Sequence, residues 1–407
     1  MNNDLSQLHP YPFEKLAALK AKATTTQTKS DIFLSIGEPK HQAPAFVLDT
    51  LHKNFDKFGA YPATKGIPEL RTAIANWLQT RFQLAPNSLS AEQHILPVNG
   101  TREALFSFVQ AQVDRSKTNA KNEKPLVVCP NPFYQIYEGA AYLAGAEPYF
   151  LNATADQGFI PDFAQVPSDV WERCQLLFIC SPGNPTGAVM NSEQFKTLIE
   201  LADRYDFVIA SDECYSELYF DEANPPKGLL QVCAELGRHD FSRCLVFHSL
   251  SKRSNLPGLR SGFVAGDAKL IESFLLYRTY HGCAMSVPTQ IASASAWNDE
   301  VHVQQNRAVY REKFDAVLVL LGDVLDVKKP DAGFYLWPQL PISGEDFALN
   351  LFAEERVTVL PGSYLSRTAH GQDPGYHFVR MALVAPLAEC IEAAQRIRDF
   401  VIRHELN

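Results

Sequence analysis

The chain has 407 residues, of which 46% are hydrophobic and 20% are charged, a balance typical of a globular protein with a large buried core. Its formal net charge of −9, with no basic block to offset it, excludes the electrostatic pattern of a nucleic-acid-binding protein. A negative total does not exclude an anionic substrate, because locally placed arginines determine that affinity.

The cysteine pattern and the hydropathy of the chain indicate the cellular compartment in which we expect the protein. Eight cysteines show neither a C-x-x-C pair nor metal-ligand spacing, so we predict free thiols in a reducing compartment and no metal site. Residues 1–7 are polar, and no apolar stretch approaches membrane-spanning length. We therefore expect a cytoplasmic protein without a membrane or nucleic-acid partner.

Short apolar segments alternate with helical patterns through the first two thirds of the chain. A helix over 68–82 carries one apolar stripe and is expected to pack in the core. The alternation predicts an α/β fold with a mainly parallel sheet covered on both faces. The predicted strands are residues 95–98, 126–129, 176–180, 207–211, 245–248 and 262–266, the last as an antiparallel neighbour.

The pattern changes near residue 290. Residues 289–321 contain few helix breakers and predict one long interdomain helix. The segments 333–337, 357–360 and 378–383 predict strands, and 387–404 predicts a terminal helix, which together indicate a smaller α+β domain. Residues 21–30, rich in Thr, Lys and Ala, predict a mobile loop.

Polar residues follow the first predicted strands. Gly100 and Thr101 open a helix, where free N–H groups and the helix dipole stabilise a phosphate, although many ordinary helix caps look the same. Tyr134 follows the next strand and can stack on a planar ring, although core packing is the stronger alternative for any single aromatic residue.

The next segments carry an amide and a carboxylate. Asn184 lies in residues 181–187, a turn with two Pro and two Gly, and it can offer an amide N–H or belong to a plain surface turn. Asp212 follows a buried strand and can hold a protonated ring nitrogen, or instead cap a following helix. Tyr215, three residues later, can donate to a phenolate oxygen.

Residues 249–260 place the amine of Lys252 among the hydroxyls of Ser249 and Ser251, with Arg260 eight residues further on. A lone lysine is usually a solvated surface charge, but this one follows a predicted buried strand, where ligands of α/β sheets collect. An amine can form an imine with an aldehyde, and hydroxyls with a guanidinium suit a phosphate dianion. An aldehyde and a phosphate on one small molecule describe pyridoxal 5'-phosphate (PLP).

The motifs Asn-Pro-x-Gly, Asp-x-x-Tyr and Ser-x-x-Lys, with Arg eight positions later, occur in this order from Asn184 to Arg260. They resemble the class I/II aminotransferases of PLP fold type I, and the resemblance covers nearly the whole chain. It implies a large PLP-binding domain, residues 46–289, with a mainly parallel seven-stranded sheet between helices. It also implies a small α+β domain built from both chain ends, residues 1–45 and 290–407.

The same resemblance implies roles for individual residues. Lys252 would be the catalytic Schiff-base lysine, Asp212 would pair with the pyridine nitrogen, and Asn184 and Tyr215 would contact the phenolate oxygen. The other implied cofactor contacts are Gly100, Thr101, Arg102, Tyr134, Ser249, Ser251 and Arg260.

Further positions match the family's substrate and subunit contacts. Gly37, in the motif at 36–39, would offer its backbone to the substrate carboxylate, and Arg380 would clamp the α-carboxylate. Asn184 would also bind the substrate. Tyr61 would reach the phosphate of the neighbouring subunit. The resemblance therefore implies a homodimer with shared active sites.

The opening segment, residues 8–16, and the overall length resemble bacterial succinyldiaminopimelate transaminases. That resemblance implies glutamate as the amino donor and N-succinyl-2-amino-6-oxopimelate as the acceptor, in lysine and diaminopimelate biosynthesis. Arg102, Lys65 and Arg278 are candidates for a distal substrate carboxylate, and surface roles stay open for all of them.

Other functions remain open on the same residues. An aspartate- or aromatic-type aminotransferase, or a PLP-dependent β-lyase acting on cysteine conjugates, would use the same constellation. A PLP-sensing regulator would need a nucleic-acid-binding module, and the roughly 30 residues before Ile36 are not basic enough for one.

Overall fold

The computed structural model describes residues 2–24, 29–118 and 121–406. Residues 25–28 of the predicted mobile loop therefore lie outside the described part of the chain. Within those ranges, no helix is long and apolar enough to cross a membrane.

Strands in the described residues form a seven-stranded sheet and two smaller ones. The order of the large sheet is β2-β8-β7-β6-β5-β3-β4, and β8 runs antiparallel to both of its neighbours, as predicted. The strands are β1 (Ile32–Phe33), β2 (Ile95–Val98), β3 (Leu126–Asn131), β4 (Glu147–Asn152), β5 (Cys174–Cys180), β6 (Val208–Asp212), β7 (Cys244–Ser249), β8 (Gly262–Gly266), β9 (Tyr335–Leu336), β10 (Val357–Thr358), β11 (Leu360–Pro361) and β12 (Val379–Ala382).

Helices cover the sheet and form most of the remainder. The helices are α1 (Pro12–Lys20), α2 (Ala45–His52), α3 (Pro68–Arg81), α4 (Thr101–Gln112), α5 (Ile136–Leu143), α6 (Ser168–Arg173), α7 (Ser192–Tyr205), α8 (Leu229–Glu235), α9 (Leu250–Arg253), α10 (Ala268–His281), α11 (Val287–Trp297), α12 (Val301–Leu321), α13 (Gly344–Glu355) and α14 (Leu387–Arg403).

The single helix predicted for residues 289–321 is wrong. Two helices, α11 and α12, occupy this stretch, and the helical conformation is interrupted between them near Asp299. Asp299 Oδ1 accepts at 3.0 Å from the backbone N–H of His302, in the first turn of the second helix. The buried guanidinium of Arg253 donates to the carbonyls of Ala296 at 2.8 Å and Asp299 at 3.2 Å. The interruption of the helix therefore supplies hydrogen-bond acceptors to a buried charge. The hydrophobic periodicity of residues 289–321 does not reveal this contact.

Alternation along the strands builds a core on each face of the large sheet. In β5, Leu177 and Ile179 pack on one face, and Leu176 and Phe178 pack on the other. A separate hydrophobic cluster joins the N-terminal residues 16–34 to residues 314–401. That cluster supports a small domain made from both chain ends, while its proposed boundaries at 46 and 290 stay a prediction.

Parallel pairing determines where the functional segments meet. Strands β3, β5, β6 and β7 run parallel in neighbouring positions, so their carboxyl ends lie at one edge of the sheet. The segments that begin at Pro132, Ser181, Glu213 and Leu250 leave the sheet at this edge, which is where open α/β sheets bind ligands.

Candidate active site

A cavity of about 350 Å³ opens at the carboxyl edge of the large sheet. It receives side chains from both chain ends as well as from the sheet. The predicted site residues that line it are Gly37, Thr101, Arg102, Tyr134, Asn184, Asp212, Tyr215, Ser249, Ser251, Lys252, Arg260 and Arg380.

Lys252 lies in the short helix α9, which starts where β7 ends. Ser249 caps this helix by accepting from the backbone N–H of Ser251 at 3.0 Å, and Lys252 Nζ donates to the carbonyl of Gly37. Burial lowers the pKa of Lys252 to about 8. A larger fraction of this amine is therefore neutral near pH 7 than of a surface lysine, and the neutral form is the nucleophile.

Asp212 ends β6 and is only 5% exposed. Tyr137 Oη donates to its Oδ2 at 2.9 Å, and the backbone N–H of Cys214 donates to Oδ1 at 3.3 Å. Burial raises the pKa of Asp212, because these neutral donors do not fully replace water. A protonated ring nitrogen would supply the positive charge that this buried carboxylate lacks among its described hydrogen-bond partners.

Arg380 lies in β12 and is 4% exposed. Its guanidinium donates to Asn184 Oδ1 at 2.9 Å and to the Ser35 carbonyl at 2.8 Å, and it lies 4.4 Å from the centre of the Tyr335 ring. Because Asn184 Oδ1 accepts from Arg380, its Nδ2 group faces the cavity as the donor. Tyr215 Oη and Tyr335 Oη are 3.0 Å apart beside this pair.

Donors suited to a phosphate gather at the opposite end. Thr101 begins α4, so the positive end of that helix dipole points toward the cavity. Ser249 Oγ and Ser251 Oγ are 2.8 Å apart, and Arg260 Nη2 donates to Glu103 at 2.8 and 3.0 Å. A phosphate dianion would compete with the half-exposed Glu103 carboxylate for that guanidinium.

Gly100 lies next to Arg260 and Glu103 at this end of the cavity, although it does not line the cavity itself. Its φ is +94°, and an added Cβ would lie 2.3 Å from Arg260 Nη2 and 2.9 Å from Glu103 Oε2. We expect Gly100→Ala to weaken coenzyme binding about tenfold, because Arg260 must move away. Equilibrium titration of the coenzyme-free protein with PLP measures the dissociation constant.

Gly237→Ala is the matched control for this prediction. Gly237 also has a positive φ, +73°, but nothing lies within 4 Å of its added Cβ. Its substitution carries the backbone strain without the clash, so the dissociation constant should stay unchanged. Equal weakening in both variants would show that Arg260 is not displaced by the first.

These groups fit PLP. The aldehyde of PLP matches a partly neutral amine, and its ring nitrogen matches a buried carboxylate that has no cationic hydrogen-bond partner among the described residues. The phosphate matches a guanidinium and hydroxyls beside a glycine. Among the residues that the structure describes, no group of His, Cys, Asp and Glu side chains could hold a metal ion.

Some predicted residues lie elsewhere in this chain. Tyr61 is fully exposed and outside the cavity, and its role toward a neighbouring subunit stays a prediction. Lys65 forms an ion pair with Glu92, away from the cavity. Arg278 is fully buried and donates to the Cys283 carbonyl at 2.5 Å, so neither basic residue reaches a substrate in its own subunit.

Sequence reasoning misses several residues that form the site. Tyr335 lies in a predicted strand, and only the structure shows that the Cβ of any other residue at Gly37 would lie 2.0 Å from its hydroxyl. Tyr137 lies on α5, and its partner Asp212 is 75 residues away in sequence. The missed residues that contact the cavity or its carboxylate include Tyr11, Phe13, Glu38, Glu103, Tyr137, Cys214 and Tyr335.

The fold and the cavity together define a PLP-binding α/β protein of fold type I. The family model described as "Aminotransferase class I and II" matches residues 29–397. The chain belongs to this family, whose members use PLP, and it is therefore a transaminase acting on amino acids and oxo acids.

Similar proteins cover almost the whole chain. An aminotransferase structure from Neisseria meningitidis is 49% identical, with a TM-score of 0.93, and covers 98% of this chain and 100% of its own. LL-diaminopimelate aminotransferase from Desulforudis audaxviator is 30% identical over 97% of this chain and 96% of its own. A probable N-succinyldiaminopimelate aminotransferase from Thermus thermophilus is 25% identical, with a TM-score of 0.82, over 95% of this chain and 99% of its own.

Proposed function

We propose that Lys252 binds PLP covalently and that the enzyme moves the amino group of glutamate to N-succinyl-2-amino-6-oxopimelate. The observation that carries the first part is the convergence of Lys252, Asp212 and Arg380 in one cavity. These residues come from a helix after β7, the end of β6 and the distant strand β12.

Each of these side chains has a distinct task. When bound, PLP supplies an electron sink for the electron pair at the substrate Cα. Arg380 holds the α-carboxylate and so directs the Cα–H bond toward Lys252. The neutral Nζ of Lys252 would take the proton from Cα and deliver it to the C4' carbon of the coenzyme, while Asp212 would keep the ring nitrogen protonated.

The acceptor is supported by the far wall of the cavity. Tyr11 and Phe13, from the opening segment that resembles succinyldiaminopimelate transaminases, line the cavity together with Arg102. The guanidinium of Arg102 lies 5.2 Å from the centre of the Tyr11 ring. An aromatic wall with a guanidinium suits a long acyl chain that ends in a carboxylate, and the name of the Thermus thermophilus relative agrees with this acceptor.

A second candidate substrate is LL-diaminopimelate, which carries a free distal amine instead of an acyl group. The name of the Desulforudis audaxviator relative favours it. The carboxylate of Glu38 also lines the cavity and would suit a free ammonium group.

A half-reaction panel separates these candidates. Each amino acid is mixed with the PLP-loaded enzyme, and loss of the coenzyme's absorbance is followed without an oxo acid. We expect glutamate and N-succinyl-LL-diaminopimelate to react fastest. If free LL-diaminopimelate reacted faster than its N-succinyl derivative, the second candidate substrate would be supported in place of the first. A preference for aspartate or phenylalanine would contradict both candidate substrates. Release of pyruvate and ammonia from a cysteine conjugate would identify a β-lyase.

We expect Arg380→Lys to raise KM for glutamate about 10- to 100-fold, because an ammonium cannot form the bidentate contact of a guanidinium. Steady-state kinetics with varied glutamate measures this effect. Arg367→Lys is the control, since Arg367 makes the same bidentate contact, to Glu138 at 2.6 and 2.9 Å, outside the cavity. An unchanged KM in Arg380→Lys would remove Arg380 from the substrate site.

The proposal includes a cytoplasmic homodimer. The full exposure of Tyr61, with Phe55 and Phe58 at least half exposed nearby in sequence, supports a contact with a second copy. All eight cysteines are free, which supports a reducing compartment. Light scattering on the purified enzyme tests the oligomeric state, and a monomer with full activity would contradict shared active sites.

A further inference from the structure

A row of polar side chains lies between α12 and the segment that follows Gly37; Asn306 and Lys313 are buried, and His41 is half-buried. Lys313 Nζ and His41 Nε2 are 2.6 Å apart, and His41 Nδ1 and Asn306 Oδ1 are 2.8 Å apart. Asn306 Nδ2 donates to the backbone carbonyl of Lys252 at 3.2 Å. Asn306 therefore touches the backbone of the cavity's lysine, and none of the three side chains lines the cavity.

The hydrogen bonds run in one direction. Asn306 donates from Nδ2 to the carbonyls of Lys252 and Arg253, so its Oδ1 is the acceptor toward His41. His41 must then carry its proton on Nδ1, which leaves Nε2 as an acceptor for Lys313. The row therefore requires a neutral imidazole of one tautomer, and a doubly protonated ring would place an N–H against the lysine amine.

Burial maintains this protonation state. Burial and the adjacent Lys313 both lower the pKa of His41, against the opposing effect of its bond to Asn306. Burial lowers the pKa of Lys313 itself to about 8. The other titratable or charged groups that face this pair are Tyr310, Lys40, Glu389 and Cys390.

The row connects to Lys252 from two sides. Asn306 bonds its backbone carbonyl, and His41 is four residues after Gly37, whose carbonyl accepts from Lys252 Nζ. A shift of Asn306 would therefore move the main chain of Lys252. We propose that Asn306, His41 and Lys313 are positioning residues that hold Lys252 in its reactive geometry. The inference rests on the proposed catalytic role of Lys252.

Kinetics of matched variants test the inference. We expect His41→Ala and Asn306→Ala to lower kcat about tenfold, with KM for glutamate within about twofold, because small misplacements of a reacting group are costly. His41→Asn should recover most of kcat, since the asparagine amide can donate to Asn306 from near the Nδ1 position. His302→Asn is the control and should keep kcat within about twofold, because His302 on the same helix bonds Ser254 at 2.8 Å rather than Lys252.

Nitrogen NMR of the histidine rings in the full-length enzyme gives a readout independent of turnover, and the tautomer of His41 is read in the wild type without any variant. We expect His41 as the neutral Nδ1–H tautomer at about pH 7, with a pKa that rises in Lys313→Met. The opposite tautomer, an unmoved pKa, or a His41→Asn variant as slow as His41→Ala would overturn the inference. If Lys252→Ala kept its turnover, the proposed function would fail instead, whatever the NMR result.

Discussion

Replacement of Lys252 by alanine abolishes transamination in our account, with kcat reduced at least about 10³-fold. The amine is the group that both holds the coenzyme and moves the proton at Cα, and no other lysine lines the cavity in the described part of the chain. Single-turnover mixing with glutamate measures the loss directly. Added methylamine should restore part of the rate, because a small free amine can enter the space that the side chain vacates.

The pH dependence of coenzyme capture provides a second view of the same residue. The pKa of Lys252 is about 8, so its amine is mainly charged below pH 8 and mainly neutral above it. The rate at which the coenzyme-free enzyme attaches PLP should therefore rise with pH and level off above about 8. Lys313→Met is the control, because burial lowers the pKa of Lys313 to about 8 as well. This variant keeps Lys252 and should show the same rise. A flat profile in the wild type would contradict the assignment of Lys252 as the residue that attaches PLP.

Replacement of Asp212 by asparagine has the second largest expected effect, a reduction of kcat by at least about 10²-fold. The carboxylate keeps the ring nitrogen protonated, and a neutral amide cannot. The same change should leave the coenzyme-free protein equally or more stable. Burial raises the pKa of Asp212, so the folded chain binds this proton more tightly than the unfolded one, and the ionised carboxylate lowers stability at neutral pH.

Thermal unfolding of the coenzyme-free variants separates this effect from damage to the fold. Asp267→Ala is the control, because Asp267 caps α10 through the N–H of Lys269 at 2.8 Å and lies outside the cavity. It should lose about 1 kcal/mol of stability and keep its kcat. If Asp212→Asn instead lost stability and kept its kcat, Asp212 would be a structural residue.

Much of the fold can be predicted because its signals are local. The buried strands β5, β6 and β7 are short apolar runs followed by polar turns, and parallel strands bring such turns to one edge. This rule alone places Asn184, Asp212 and Lys252 in one site. The edge strand β4 is missed, because its residues are only partly buried and include a proline.

The remainder of the site depends on contacts between residues far apart in sequence. The Tyr215–Tyr335 pair spans 120 residues, and the bond from Arg380 to Asn184 spans 196. Periodicity reports which face of a strand is buried, but it does not report which side chain meets it. The break between α11 and α12 escapes prediction for the same reason, since its cause is the distant Arg253.

The attachment of PLP to Lys252 is the claim on which the account depends, and borohydride reduction followed by peptide mass spectrometry tests it most directly. Reduction fixes the carbon–nitrogen bond, and we expect the added coenzyme mass on the peptide that contains Lys252 and on no other. Coenzyme fixed to a different lysine, or recovered entirely unattached from the active enzyme, would contradict it.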